Sequence, residues 1–361
     1  MPGINREFWA GKRVFLTGHT GFKGSWLSLW LQELGAELSG YALQAPTQPS
    51  LFELGHVASK MNSVTGDIRD IKKLSETLNI TRPEIVIHMA AQPLVRYSYI
   101  EPVETYATNV MGTVNILEAS RNTPSVRALV NVTTDKCYEN REWIWGYREN
   151  DRLGGYDPYS SSKACSELIS AAYRSSYFSA EPSNSPRLAI ATARAGNIIG
   201  GGDWAKDRLV PDMISAFSEG SPAVIRNPQA TRPWQHVLDA LHGYLLLAEQ
   251  LFLNGPQFSA AWNFGPNDQE PRTVAWIADA ISKSWGGTAT WLDDNQLGYH
   301  EAASLRLDAT KARNTLGWES VLDLPKAIHL TVDWAKAYQS GRDMRDFTIQ
   351  QIISYEEFIS Q

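Results

Sequence analysis

Thr134, Asp135 and Lys136 close an apolar run that begins at Arg127, and Tyr159 follows downstream with Lys163 four residues after it. Residues 159–163 read as the start of a helix, so the i,i+4 spacing puts the phenol and the amine on one face. An ammonium about 4.5 Å from the phenol, at an effective dielectric of about 20, favours phenolate by roughly 3 to 4 kcal/mol, which would bring a tyrosine from about 10 towards neutrality. Tyr159 then serves as a base. Thr134 is placed to hydrogen-bond the same substrate hydroxyl, which makes an oxidation site. Asp135 and Lys136 are surplus to a simple alcohol oxidation. An acid and a possible base beside such a site suggest a second proton transfer.

These residues need a scaffold, and the first half of the chain supplies its pattern. Strands are expected at Arg13–Leu16, Glu37–Tyr41, Ser63–Thr65, Ile85–His88, Leu129–Thr133 and Leu188–Ala193. Helices are expected between them near Gly24–Leu34, Asp70–Asn79, Pro102–Arg121 and Tyr159–Phe178. The alternation predicts an α/β fold, a Rossmann-type doubly wound parallel sheet covered on both faces. Beyond residue 200 the order loosens into helices near Val210–Glu219, Val237–Leu251, Val274–Ser284 and Leu324–Tyr338, with a strand at Ala261–Phe264. The expected division is a dinucleotide-binding domain over 1–200 and a smaller C-terminal substrate-binding lobe over 201–361, some later segments returning to the first. Glu181 to Pro186, rich in Ser and Pro, is the best surface-loop candidate.

Between the first strand and the first helix runs Gly18-His-Thr20-Gly21-Phe22-Lys23-Gly24. Glycine is needed where backbone turns sharply or must approach a pyrophosphate or a packed helix. The helix N-terminus then offers free amides and the positive end of a dipole to the phosphates. After the second strand, Ser39 to Pro46 contains no acid for an adenosine ribose and no arginine for a 2′-phosphate. Asp67 is placed either to accept a hydrogen bond from an adenine amino group or to cap the next helix.

The 361 residues are 43% hydrophobic and 20% charged, a chain long enough to bury a sizeable core. A net charge of -6 and a pI near 5.7 argue against general nucleic-acid binding. No apolar stretch approaches a membrane span, and the first residues lack the apolar core of a signal peptide, so the expected location is cytoplasmic. Two cysteines, Cys137 and Cys165, are too few for a disulfide scaffold. His88 and His236 have no partners at metal-ligand spacing, and no metal is expected.

Taken together, the motifs resemble the extended short-chain dehydrogenase/reductase superfamily over nearly the whole chain. They are the glycine loop at 18–24, Gly66-Asp67-Ile68-Arg69, His88-Met-Ala90-Ala91-Gln92, the segment opening at Asn109, Tyr159-x-x-x-Lys163, Arg194-Ala-Gly-Asn197, and Leu307 to Trp318. The resemblance implies NAD as cofactor, held by Gly18, Thr20, Gly21, Phe22, Lys23, Gly24, Asp67, Ile68, Ala90, Ala91, Gln92, Asn109, Tyr159 and Lys163. It also implies a nucleotide-sugar substrate contacted by Gln92, Asn197, Arg208, Arg226, Arg232, His236, Tyr299 and His300. Epimerases of this superfamily carry small residues after the catalytic Thr or Ser. Its 4,6-dehydratases carry Thr-Asp-Glu, and this chain has Thr134-Asp135-Lys136. With Gly18 to Gly24 and the tryptophan-rich segment after Ser25, it is most similar to the dehydratase branch that acts on CDP-glucose. The implied catalytic set is Thr134, Asp135, Lys136, Tyr159 and Lys163, with Lys136 either the base at C5 or a charge that stabilises the enolate. A homo-oligomer, dimer or tetramer, is implied through the helices near 102–121 and 159–178. The rivals are a UDP-, dTDP- or GDP-sugar enzyme, an epimerase included, and a non-catalytic dinucleotide-binding regulator.

Overall fold

The computed structural model describes residues 2–178, 188–266, 272–294 and 302–360. Glu181 to Pro186, Tyr299 and His300 therefore lie outside the described residues. Seven parallel strands form the central sheet: β1 Arg13–Thr17, β2 Glu37–Ala42, β3 Asn62–Thr65, β4 Ile85–His88, β5 Ala128–Val132, β6 Ala189–Ala195 and a last strand at Ala261–Phe264. From one edge the order is Ala261–Phe264, β6, β5, β4, β1, β2, β3. It reverses about β1 and β4, and such a switch point opens a ligand crevice at the strand C-termini.

Alternation along the strands explains why both faces are covered. Val14, Leu16, Ile85, Ile87, Val130 and Val132 join one core, while Phe15, Val86, Leu129 and Ile190 join the other. The first core is closed by α1 Phe22–Glu33 together with the helices Val237–Asn254 and Met344–Ile359. The second is closed by α2 Ile71–Thr81 and by residues 102–121, a helix with a π-type turn at Ala107–Met111. Residues 237–254 and 261–264 thus lie in the sheet layer although they follow residue 200. The last helix, Met344–Ile359, had no counterpart in the sequence reading.

The remaining later segments form a separate small core from Leu209–Ser218, Val274–Trp285 and Leu324–Gln339, with short strands such as Ala223–Ile225 paired to Trp291–Asp293. They stand over the C-terminal edge of the sheet. Among the described residues no helix is long and apolar enough to cross a membrane.

Candidate active site

Val132 is the last residue of β5, so Thr133, Thr134 and Asp135 leave the strand at the C-terminal edge of the sheet. There the chain tightens into a short turn in which the Thr134 hydroxyl accepts from the Lys136 amide at 3.4 Å. The same hydroxyl donates to Asp135 Oδ1 at 3.0 Å. Opposite lies the helix Pro158–Tyr177, started by Pro158 and by the Asp157 carboxylate, which accepts from the Ser160 amide. Its first turn carries Tyr159 and its second Lys163. A cavity of about 860 Å³ brings Thr134, Asp135, Lys136 and Tyr159 together with Lys23, Asn197, Arg208, Arg226 and Arg232. Asp135 Oδ2 and Asn197 Oδ1 are buried there without a hydrogen-bond partner among the described residues. Buried polar atoms of this kind await a ligand or water.

The electrostatics of Tyr159 run opposite to the expectation from spacing. Burial pushes Tyr159 up to about 12, with the Thr134 hydroxyl and Arg208 pulling the other way. Burial also brings Lys163 down to about 8, and its ammonium points at the Val132 carbonyl, 3.4 Å away. Desolvation of the phenolate therefore outweighs the hydroxyl and the guanidinium that favour it. Lys23 is likewise brought down to about 7 by burial and then by Lys163 and Arg208, while Asp135 and Asp203 oppose.

The glycine loop fits a dinucleotide by its backbone. Gly18 has φ +76°, and a side chain there would meet the Ala90 amide at 2.8 Å. A Cβ on Gly24 would stand 2.1 Å from the Gly18 carbonyl oxygen. The first turn of α1 has no side-chain cap, so its amides are left for a phosphate. Thr20 fastens the loop by donating to the Leu43 carbonyl at 3.0 Å. These features, beside Ala90 and Ala91 at the end of β4, suit NAD.

Other expected contacts fall differently. His236 is fully buried, packs edge-on against Trp26, and accepts from the Leu238 amide as the cap of Val237–Asn254. It therefore faces the core rather than the substrate, because it caps the helix Val237–Asn254, which packs into the core of the sheet. Gln92 does not line the cavity, its amide group being spent on Leu94 and Thr105. Asn109, 2% exposed, bonds both backbone groups of Gln92 and the Ser162 hydroxyl, so it positions the loop after β4. Ile68 is a core side chain beneath Gly112. Asp67 is gripped by Arg69 at 2.6 Å, and the cap of α2 is Asp70.

Arg232 is 9% exposed and donates to the Thr231 carbonyl at 2.8 Å. Arg208 is paired with Asp203 at 2.9 Å and Arg226 with Asp207 at 3.0 Å. Asp203, Asp207 and Arg96 line the cavity too, and sequence reasoning missed all three. The only signal for Arg96 was its place just after the His88 to Gln92 motif.

The family described as GDP-mannose 4,6 dehydratase matches residues 15–331. The chain belongs to that family. Among curated relatives of this dehydratase family member, the CDP-glucose 4,6-dehydratase of Salmonella typhimurium is 52% identical over 352 residues, 98% of each chain. A dTDP-glucose 4,6-dehydratase of Xanthomonas campestris is 26% identical over 288 residues, covering 75% of this chain and 78% of that one. Among solved structures, the dTDP-glucose 4,6-dehydratase of Streptomyces venezuelae with NAD and TYD bound has a TM-score of 0.77 at 21% identity, covering 92% of this chain and 99% of that one. The UDP-glucose 4-epimerase of Thermotoga maritima with UDP-glucose has a TM-score of 0.78 at 21% identity, covering 90% and 99%. At such identities the structures share the fold.

Proposed function

We propose that this protein is an NAD-dependent 4,6-dehydratase that converts CDP-glucose to CDP-4-dehydro-6-deoxyglucose. The observation that carries the reading is a carboxyl, an amine, a hydroxyl and a phenol on one cavity, Asp135, Lys136, Thr134 and Tyr159, with one Asp135 oxygen left unpartnered. The 52% identity to a CDP-glucose 4,6-dehydratase over 98% of the chain supports the substrate.

Bound NAD supplies the acceptor and later the donor of a hydride. As phenolate, the form that the Thr134 hydroxyl and Arg208 favour against burial, Tyr159 takes the proton of the sugar 4-hydroxyl and becomes a phenol, while Thr134 orients that oxygen. The resulting 4-ketone acidifies the C5 hydrogen, so oxidation must precede elimination. Lys136 takes the C5 proton, or as a cation steadies the enolate. Asp135 gives its proton to the departing 6-hydroxyl, and water leaves. Reduction at C6 and protonation at C5 finish the turnover with no external reductant. Gly18 to Gly24 hold the cofactor pyrophosphate, and Arg208, Arg226 and Arg232 the substrate diphosphate.

Exposed apolar side chains on the two helical segments beside the sheet, Val103, Met111 and Leu168, support a homo-oligomer built through them. The two free cysteines and the cofactor suit a cytoplasmic enzyme. Incubation with CDP-, dTDP-, UDP- and GDP-glucose, followed by the alkaline absorbance of a 4-keto sugar, tests the assignment. Product from CDP-glucose alone is expected, and product from another nucleotide in preference to it would overturn the substrate.

A further inference from the structure

Two guanidinium groups from different lobes meet on one carboxylate oxygen at the rim of the cavity. Arg96, on the short helix Val95–Ile100 that follows β4, donates to Asp207 Oδ1 at 3.1 Å. Arg226, just after the strand Ala223–Ile225, donates to the same oxygen at 3.0 Å. Asp207 sits in the loop ahead of Leu209–Ser218 with φ +61°, the left-handed region in which Asp and Asn are the best tolerated of the non-glycine residues. A neighbouring pair, Arg208 with Asp203 at 2.9 Å, lines the same wall. Burial, and after it the Asp207 and Asp203 carboxylates, push Asp212 on this wall up to about 6, so the loop's negative charge is felt inside the cavity.

We infer that Arg96 and Arg226 form a phosphate-binding pair that Asp207 occupies as an internal counter-ion, and that the diphosphate of the substrate displaces the Asp207 carboxylate. The inference rests on reading the cavity as a nucleotide-sugar site. Two guanidinium groups brought together repel unless an anion lies between them, and a carboxylate oxygen offers the ligand chemistry of a phosphate oxygen. Asp207 therefore keeps the arginines converged before substrate arrives. With 44% of its side chain exposed, it can be released to water at small cost. The same contact makes Asp207 a competitor: its bonds to both arginines must break as the diphosphate binds. Arg96 thereby becomes a substrate contact from the dinucleotide-binding side, opposite Arg226 from the substrate lobe.

Asp207→Asn separates the two roles, because the amide keeps the acceptor oxygen, the size and the left-handed backbone while losing the charge. Calorimetric titration of the full-length protein with CDP gives the readout, and NAD affinity confirms that each variant is folded. Two part-exposed ion pairs correspond to about threefold to tenfold tighter CDP binding in Asp207→Asn. Arg96→Met is expected to bind CDP at least about fivefold more weakly, with NAD affinity kept. CDP binding to Asp207→Asn that is unchanged or weaker overturns the competitor role, and unchanged binding to Arg96→Met overturns the phosphate contact. If the wild type binds no CDP but binds UDP, dTDP or GDP, the base assignment fails and the variants are judged with that nucleotide. Binding of none of the four removes the functional reading and the inference with it.

Discussion

The Glu167 carboxylate and the Arg194 guanidinium form a 2.7 Å ion pair directly behind the catalytic turn, with 1% and 3% of their side chains exposed. Glu167 lies one helical turn beyond Lys163 and also accepts from the hydroxyls of Thr133 and Thr192. Arg194 reaches on to the Tyr138 hydroxyl at 2.8 Å, and Tyr138 to Asn263 at 2.7 Å. One buried network thus ties the end of β5, the helix bearing Tyr159 and Lys163, and the sheet edge into a single unit. Removing one partner leaves a charge buried and alone, so Arg194→Met should lose about 3 to 5 kcal/mol of stability in denaturant titration. A loss under about 1 kcal/mol would show that the pair does not hold the site.

Asp135 and Lys136 act after the ketone forms, whereas Tyr159 acts before it. Asp135→Asn should oxidise C4 but stall before loss of water, lowering kcat about 100- to 10,000-fold. Lys136→Met should keep C4 oxidation and slow exchange of the C5 hydrogen with deuterated water. Exchange at the wild-type rate would exclude Lys136 as the base.

The cofactor loop leaves no room for a methyl group at Gly24, whose Cβ would stand 2.1 Å from a carbonyl oxygen. Gly24→Ala should cut NAD affinity at least about tenfold, read by fluorescence titration, because α1 must retreat from the loop. Affinity equal to wild type would place the pyrophosphate elsewhere.

Burial holds Lys163 at about 8, against about 10.4 for a solvated lysine. Between these values the unfolded chain binds a proton that the folded chain lacks, so Lys163 makes stability rise with pH there, and the gain is lost as pH falls through 8. Relative to wild type, cofactor-free Lys163→Met should gain about 2 to 3 kcal/mol at pH 7 and nothing near pH 10.5. A difference that does not change with pH would mean that Lys163 is not held down by burial.

Met111 and Leu168 are 51% and 57% exposed on the two segments proposed to pair between subunits. A double variant, Met111→Glu with Leu168→Glu, should sediment as a monomer at a concentration where the wild type does not. An unchanged assembly would move the interface to another face.

Much of this protein was legible in one dimension. Strand alternation and the glycine loop gave six sheet strands in their order along the chain, since side-chain period and backbone freedom are local properties. The Tyr159 and Lys163 pair, and the Thr134 to Lys136 run, were readable for the same reason: i,i+4 spacing and a strand end fix where such groups project.

What spacing could not carry was burial and distant convergence. Tyr159 moves up rather than down because its desolvation is set by everything packed round it, not by the one charge four residues away. His236, placed with the substrate by the family resemblance, turns into the core because it caps the helix Val237–Asn254, which packs against the sheet. Arg96, Asp207 and Arg226 stand 111 and 19 residues apart in sequence and meet on one oxygen. The sequence by itself determined the sheet and the chemical groups at its edge. Only the tertiary structure decided which charges are paired, because dielectric and contact are properties of the packed interior and not of the chain.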